Sequence, residues 1–286
     1  MLNPILRREV QTSLRSWKIF GVIAAYVGVI TFFAVLYIKA TMSGSLYSGF
    51  DPKDIVYLYA LLSGLQLGLI LMTAPALTAG SISGERERQT LDLLIVTRMS
   101  PFSIVFGKLL SSIGLILLMI IAAMPVYAVL FYFGGVSLFY LLGMTVFMLV
   151  TACMVGSMGI FFSAIYKKTM VSMVLVYLII GVLVVGTLVG YLSYSTIYIQ
   201  AYKQIYDYIS LPALYGFFFL NPGAGFFSVI DAQLGTNFFD EITMTYWIGN
   251  GLKMPVEMWI VNMIGDILVS GLFLKLASLK INPGKK

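Results

Sequence analysis

The sequence predicts an all-α integral membrane protein with six transmembrane helices, and three observations carry that prediction. Of its 286 residues, 60% are apolar and 10% charged, with a mean hydropathy of +0.96, whereas a soluble domain carries roughly a quarter charged residues. Six apolar runs, at roughly 19–38, 55–79, 109–133, 137–162, 170–194 and 256–277, each approach or exceed the ~20 residues a helix needs to cross about 30 Å of hydrocarbon. The cations are also segregated. With the N-terminus inside, Arg7, Arg8, Arg15, Lys18, Arg86, Arg88, Arg98, Lys108, Lys167, Lys168, Lys275, Lys280, Lys285 and Lys286 fall in cytosolic segments, and only Lys39, Lys53, Lys203 and Lys253 face out, as the positive-inside tendency requires. Asp51, Asp54, Asp207, Asp231, Asp240, Glu241 and Glu257 lie outside in the same arrangement. The net charge of +6 is therefore read as a topology signal, with the lipid bilayer and no nucleic acid as partner. Residues 1–286 are read as a single transmembrane domain with both termini cytoplasmic.

Composition also excludes chemistry. Cys153 is the only cysteine and there is no histidine, so an intrachain disulfide, the usual zinc ligand sets and imidazole acid/base catalysis are all unavailable. No catalytic residue, metal site or cofactor is expected in this chain.

Along the chain, residues 1–18 place Leu6, Val10, Leu14 and Trp17 at helical spacing apart from Arg7, Arg8, Arg15 and Lys18, which predicts an amphipathic helix lying at the interface. The basic flank and first apolar run loosely resemble a signal peptide, but no small-residue cleavage site follows, and the run is read as a mature helix. The second span contains Pro75 and the third Pro125, each expected to kink its helix by removing a backbone donor. Between these spans, the cytosolic loop 80–108 holds the stretch SISGERERQTLDLLIVTRMSP. Its spacing predicts one helix over 85–97, with Leu91, Leu94 and Ile95 on one face, Glu85 pairing with Arg88, and Arg88 with Asp92. Ser83 and Gly84 supply its start, while Ser100 and Pro101 give the next helix its cap and first-turn residue. This elbow alternates acidic and basic groups, which suits a protein surface better than lipid headgroups.

The third and fourth spans are joined around Gly134 and Gly135 and should form an antiparallel hairpin. Gly156 and Gly159 in the fourth span, and Gly181, Gly186 and Gly190 in the fifth, mark faces where helices can approach closely. The external segment 195–255 follows. Ile197, Ala201, Ile205 and Tyr208 keep helical spacing there, predicting an interfacial helix, and LPALYGFFFLNPGAGFFSVIDAQLG holds two apolar pieces either side of Asn221, Pro222 and Gly223. Each piece is too short to span, so two short helices forming a re-entrant element fit. In the sixth span, Asp266 is the one deep carboxylate, with Asn262 one turn before it. Together they are read as part of a translocation path or as a structural clamp.

The charged elbow between two apolar spans resembles the permease subunits of ABC-2 type ATP-binding cassette transporters. The residues that carry the likeness are Ser83, Gly84, Glu85, Arg86, Glu87, Thr90, Leu91, Asp92, Leu93 and Leu94, then Ser100 and Pro101, then Gly107 and Lys108. The resemblance implies a type V exporter-like fold, in which the N-terminal amphipathic helix is the connecting helix, the elbow is a cytosolic coupling helix seated in an ATPase subunit, and re-entrant or interfacial helices precede the sixth span. It assigns Ser83, Gly84, Glu85, Arg86, Glu87, Arg88, Thr90, Leu91, Asp92 and Leu94 to ATPase coupling. No G-x-x-x-x-G-K-[ST] occurs in the sequence, so ATP and Mg would be bound by a separate ABC ATPase, two copies of it, and a second permease chain, identical or related, would complete the transporter. The expected location is a bacterial plasma membrane, the expected role export, and the expected cargo an amphipathic or hydrophobic peptide, lipid or drug. An ion-coupled secondary transporter using Asp266 is the rival reading; such a protein would place several polar groups at mid-membrane.

Overall fold

A computed structural model describes residues 17–42, 52–90, 100–133, 136–202, 218–235 and 257–281. Among them every regular element is helical: α1 (Trp17–Met42), α2 (Pro52–Thr78), α3 (Ser83–Glu87), α4 (Pro101–Tyr132), α5 (Leu138–Ile165), α6 (Thr169–Gly181), a π-helical stretch (Val182–Gly186), α7 (Thr187–Tyr202), α8 (Pro222–Leu234) and α9 (Met258–Ile281). Six segments are long and apolar enough to cross a membrane: Ile19–Thr41, Asp54–Glu87, Pro101–Tyr132, Leu138–Ile165, Thr169–Tyr194 and Met258–Ile281. They coincide with the six predicted spans. The third begins at Pro101 rather than near 109, because the turn carrying Gly107 and Lys108 joins the helix. Its start is the expected one, with Ser100 as N-cap, its Oγ accepting from Ser103 N, and Pro101 in the first turn.

The amphipathic helix expected over 1–18 lies, up to residue 16, outside the described residues, as do 203–217 and 236–256 of the external segment. Ile197 and Ala201 sit on α7, a continuation of the fifth-span helix rather than a separate interfacial one. Of the two short helices expected around Asn221, the second is α8, and most of the first falls outside the described residues.

Contacts divide the chain into two compact units, one of residues Met1–Tyr177 with Leu268–Lys286, the other Leu178–Ile267. In the first, α1, α2, α4 and α5 pack on one another. Helix α1 buries Tyr26, Ile30 and Ala34 at four-residue spacing and leaves Phe32, Phe33 and Leu36 exposed. That polarity of an apolar helix, with one narrow buried stripe and a broad apolar outer face, is what lipid contact produces. Ile82, Val105, Leu109, Ile160, Ala164, Leu274, Ala277 and Ile281 form a core at one end of the unit. Ser270 Oγ donates to the carbonyl of Cys153 at 3.3 Å, and Tyr177 Oη to that of Met72 at 2.6 Å.

The glycines of the fourth span are tightly packed, as the sequence indicates. A methyl group at Gly159 would overlap Thr78, and one at Gly156 would reach Leu109 Cδ1 at 3.0 Å. Those of the fifth span differ: a methyl at Gly181 would meet nothing within 4 Å, and one at Gly186 only Val182 of its own helix. Gly181 and Gly186 stand at the two ends of the π-helical stretch and meet no other helix among the described residues.

In the second unit that stretch explains a polar knot. A π turn widens the helix and leaves main-chain carbonyls available. Asn221 Nδ2 donates to Val184 O at 3.3 Å and to Thr187 Oγ1 at 2.6 Å, while its Oδ1 accepts from Gly223 N at 2.7 Å and Ala224 N at 3.2 Å as the N-cap of α8. One buried side chain thus starts α8 and ties it to the π turn. Asn221→Ala removes all four bonds, and at about 0.5–2 kcal/mol for the cap and ~0.6 kcal/mol for each interhelical bond in a membrane a loss of about 2–3 kcal/mol is expected. The check is thermal unfolding in lipid nanodiscs, where Asn221→Asp, which keeps the cap acceptor, should retain part of the stability.

Candidate functional site

The charged elbow is built from the end of α2. Regular i to i−4 bonding is interrupted after Thr78, where Ser81 N turns to Thr78 O at 3.1 Å, and resumes with Gly84 N to Gly80 O at 3.0 Å. The amides of Ile82 and Ser83 are completed from α5: Ser163 Oγ accepts both, at 2.9 and 2.8 Å, and donates to Ser83 Oγ at 3.1 Å. Ser83 Oγ in turn donates to Ala79 O at 3.0 Å. Both serines are fully buried. A hydroxyl on a neighbouring span therefore caps the elbow helix in the place its own N-cap residue, Ile82, cannot.

The helix that starts there is short. Expected over 85–97, it ends at Glu87. Thr90 N reaches back to Glu85 O at 2.9 Å and Gln89 N to Arg86 O at 3.1 Å, with Gln89 at φ 59°. This is a Schellman close with glutamine in the left-handed position that glycine usually takes. The helix is closed before Leu91, Asp92 and Leu94, which lie outside the described residues, so the expected pairing of Arg88 with Asp92 falls there too.

The charges of the elbow are matched inside the chain. Glu85, 31% exposed, accepts from Lys108 Nζ of α4 at 3.3 Å and from Thr90 Oγ1 at 2.8 Å. Lys108 is only 4% exposed, so this ion pair helps to compensate its ammonium away from water. Arg86 donates to Ala164 O at 3.2 Å and Tyr166 O at 3.4 Å, the carbonyls at the C-terminus of α5. Glu87 accepts from Thr169 N at 2.8 Å and Thr169 Oγ1 at 3.1 Å, at the N-terminus of α6. A cation at a helix C-terminus and a carboxylate at a helix N-terminus each meet the favourable end of a helix dipole. The alternation of Glu85, Arg86, Glu87 is thus explained by three neighbours: α4, the end of α5 and the start of α6. The approach is close throughout. A methyl at Gly80 would lie 3.0 Å from Thr169 Cγ2, and Ser83 Oγ lies 3.1 Å from Thr169 Oγ1.

Of the residues assigned to coupling, Ser83, Glu85, Arg86, Glu87 and Thr90 are engaged within the chain, Gly84 is half-buried beside Thr169, and Arg88 is exposed with Gln89 beside it. Sequence reading did not find Ser163 or Thr169. They stand some 80 positions away from their partners, and nothing in an apolar span distinguishes a capping serine from one that bonds its own helix.

Asn262 and Asp266 are both fully buried on α9. Asn262 Nδ2 donates to Phe219 O at 3.0 Å, Asn221 O at 3.1 Å and Phe218 O at 3.3 Å, holding the turn that enters α8. A group of three or more His, Cys, Asp or Glu side chains able to hold a metal is absent among the described residues.

A family model described as ABC-2 type transporter matches residues 3–217. A search among curated proteins gave no match.

Proposed function

The chain belongs to the ABC-2 type transporter family, whose model spans three quarters of it, and from that premise we propose that this multi-pass permease is the membrane subunit of an ATP-driven exporter powered by a separate ABC ATPase. The family membership makes it a transport component. The observation that carries the coupling role is the elbow itself, which bonds three neighbouring helices while presenting Arg88 and Gln89 outward.

A motor that closes on ATP must push on something that does not yield. An elbow tied by Glu85 to α4, by Arg86 to α5 and by Glu87 to α6 passes a displacement to four spans, not only to the two it joins. The cytoplasmic placement of the elbow and of both termini rests on the segregation of cations, and bacterial origin on the resemblance of the motif. Two ATPase copies and a second permease chain complete the assembly, as a homodimer or heterodimer. The sparse charge within the spans favours an amphipathic or hydrophobic cargo. Differential contact of the ATPase with two states of the permease is what performs work.

The test is co-purification with ATP-binding-cassette ATPases of the source cell, followed by Arg88→Glu. Arg88 is exposed, so its reversal leaves the fold's melting temperature unchanged, whereas like-charge apposition at a docking surface costs several kcal/mol. Several-fold loss of ATPase recovery or of ATP hydrolysis by the complex is expected. Recovery and hydrolysis equal to wild type would remove Arg88 from the interface, and failure of any ATPase to co-purify would remove the exporter reading.

A further inference from the structure

The first unit contains a small cavity among α2, α4 and α5, lined by Tyr59, Ser63 and Gln66 from α2, Tyr127 from α4, and Met144 and Met148 from α5. A cavity within a bundle of apolar spans should be apolar. Here Tyr59 is 1% exposed, Ser63 0%, Gln66 2% and Tyr127 5%. The Tyr59 and Tyr127 hydroxyls both approach that of Ser63 closely enough to interact with it, yet among the described residues none of the three hydroxyl oxygens has a partner at full hydrogen-bond distance and angle. Three buried hydroxyls converging on one space with no well-formed hydrogen bond between them is an arrangement that neither packing nor the elbow explains. Phenylalanine and alanine would fill the same volume without the desolvation penalty.

We propose that this cavity is a buried water site, in which water bonded to Tyr59, Ser63 and Tyr127 bridges α2 to α4 inside the membrane. Size decides the class of ligand. The space open to a ligand centre is about 10 Å³, near the least that holds one water and far below the several hundred Å³ of a site for a drug-sized molecule. Cargo is excluded by volume, and a metal ion by the lining, which offers hydroxyls, an amide and thioethers and no carboxylate. Water with two to four polar partners is what such a space accepts. From Ser63 to the end of α2 at Thr78 is about 22 Å at 1.5 Å per residue, so the site is separate from the elbow, and it does not depend on the proposed function.

Water held beside methionine can be detected directly by X-ray radiolysis of the full chain in lipid nanodiscs, because hydroxyl radicals formed in place oxidise adjacent side chains. Met144 (3% exposed) and Met148 (2%) line the cavity, while Met119 (2%) and Met154 (0%) are equally buried and do not. Several-fold faster oxidation of Met144 and Met148 than of Met119 and Met154 is expected. Equal rates for the four would show a dry cavity and overturn the proposal. The double variant Tyr59→Phe with Tyr127→Phe, which conserves volume, should bring Met148 down to the rate of Met154. Oxidation that persists unchanged in it would show that these hydroxyls do not hold the water and would equally overturn the proposal. Should the double variant not fold, the wild-type comparison decides alone.

Discussion

Gly159→Ala is expected to destabilise the protein by about 2–3 kcal/mol, the upper part of the range for overpacking a close-packed interior, and Gly159→Leu to abolish recovery of folded protein. At this position α5 crosses α2 with no space for a side chain. A methyl group would overlap Thr78 Oγ1 and lie 2.9 Å from Thr78 Cβ and 3.2 Å from the main-chain nitrogen of Ala79. Thr78 cannot turn aside, since it is β-branched and its Oγ1 is bonded to Ala74 O at 2.7 Å. The two helices would have to separate, and they separate where Ser163 must reach Ile82 and Ser83 one turn further along. Gly156→Ala is the control on the same face. Its methyl would meet Leu109 Cδ1 at 3.0 Å, the end of a flexible side chain, and Thr78 Cγ2 at 3.4 Å. Relief is cheap there, and the helix gains about 0.8–1.0 kcal/mol of intrinsic propensity on losing a glycine, so a near-neutral change is expected. Melting temperature and size-exclusion profile in one detergent compare the two variants, and equal behaviour would refute the crossing argument. Thr78→Ala should recover part of the loss in Gly159→Ala.

That crossing was legible in the sequence, since small residues four or fewer apart in an apolar run have few uses other than close helix contact. The spans were legible for the same kind of reason, as transfer of apolar side chains to lipid depends on composition and length, both of which a sequence displays. Gly181 and Gly186 of the fifth span look the same in the sequence, yet they stand at the ends of the π turn at Val182–Gly186. The partner of that π turn, Asn221, marked a turn in the sequence, but a free carbonyl 37 residues upstream leaves no trace in composition. The elbow was legible in place and not in extent. Gln89 carries the left-handed turn at φ 59° that closes the helix, and a glycine would have announced it. The charges were visible, but their purpose was not. Alternating signs pointed to a protein surface, and the surface that Arg86 and Glu87 find is the turn between the fourth and fifth spans of the same chain. Glu85 and Glu87 are therefore no longer evidence for an external partner, and that inference now rests on Arg88 and on the family.

The same matching makes the ion pair at the elbow the place where a single substitution has an asymmetric effect. Glu85→Ala leaves Lys108, 4% exposed, deprived of the carboxylate 3.3 Å away. Removal of one partner of a fully buried pair costs about 3–5 kcal/mol; because Glu85 is 31% exposed and water reaches it, about 2–3 kcal/mol is expected here. Lys108→Met removes the charge that needs compensation, and its unbranched side chain suits the space of the lysine stem. It leaves Glu85 with water on one side and Thr90 Oγ1 at 2.8 Å on the other, and a cost of about 0.5–1 kcal/mol follows. Combining the two substitutions should yield a protein more stable than Glu85→Ala alone, since the buried ammonium that has lost the Glu85 carboxylate is then gone as well. Thermal unfolding of the three variants in nanodiscs reads the cycle, and a double variant less stable than Glu85→Ala would show that Lys108 is not held by Glu85. The order also determines how coupling can be probed. Loss of ATP-driven transport in Glu85→Ala is expected from the failure of the elbow to hold α4, whether or not an ATPase touches residue 85. Transport retained in the double variant but lost in Arg88→Glu would separate the stiffness of the elbow from the surface proposed to receive an ATPase.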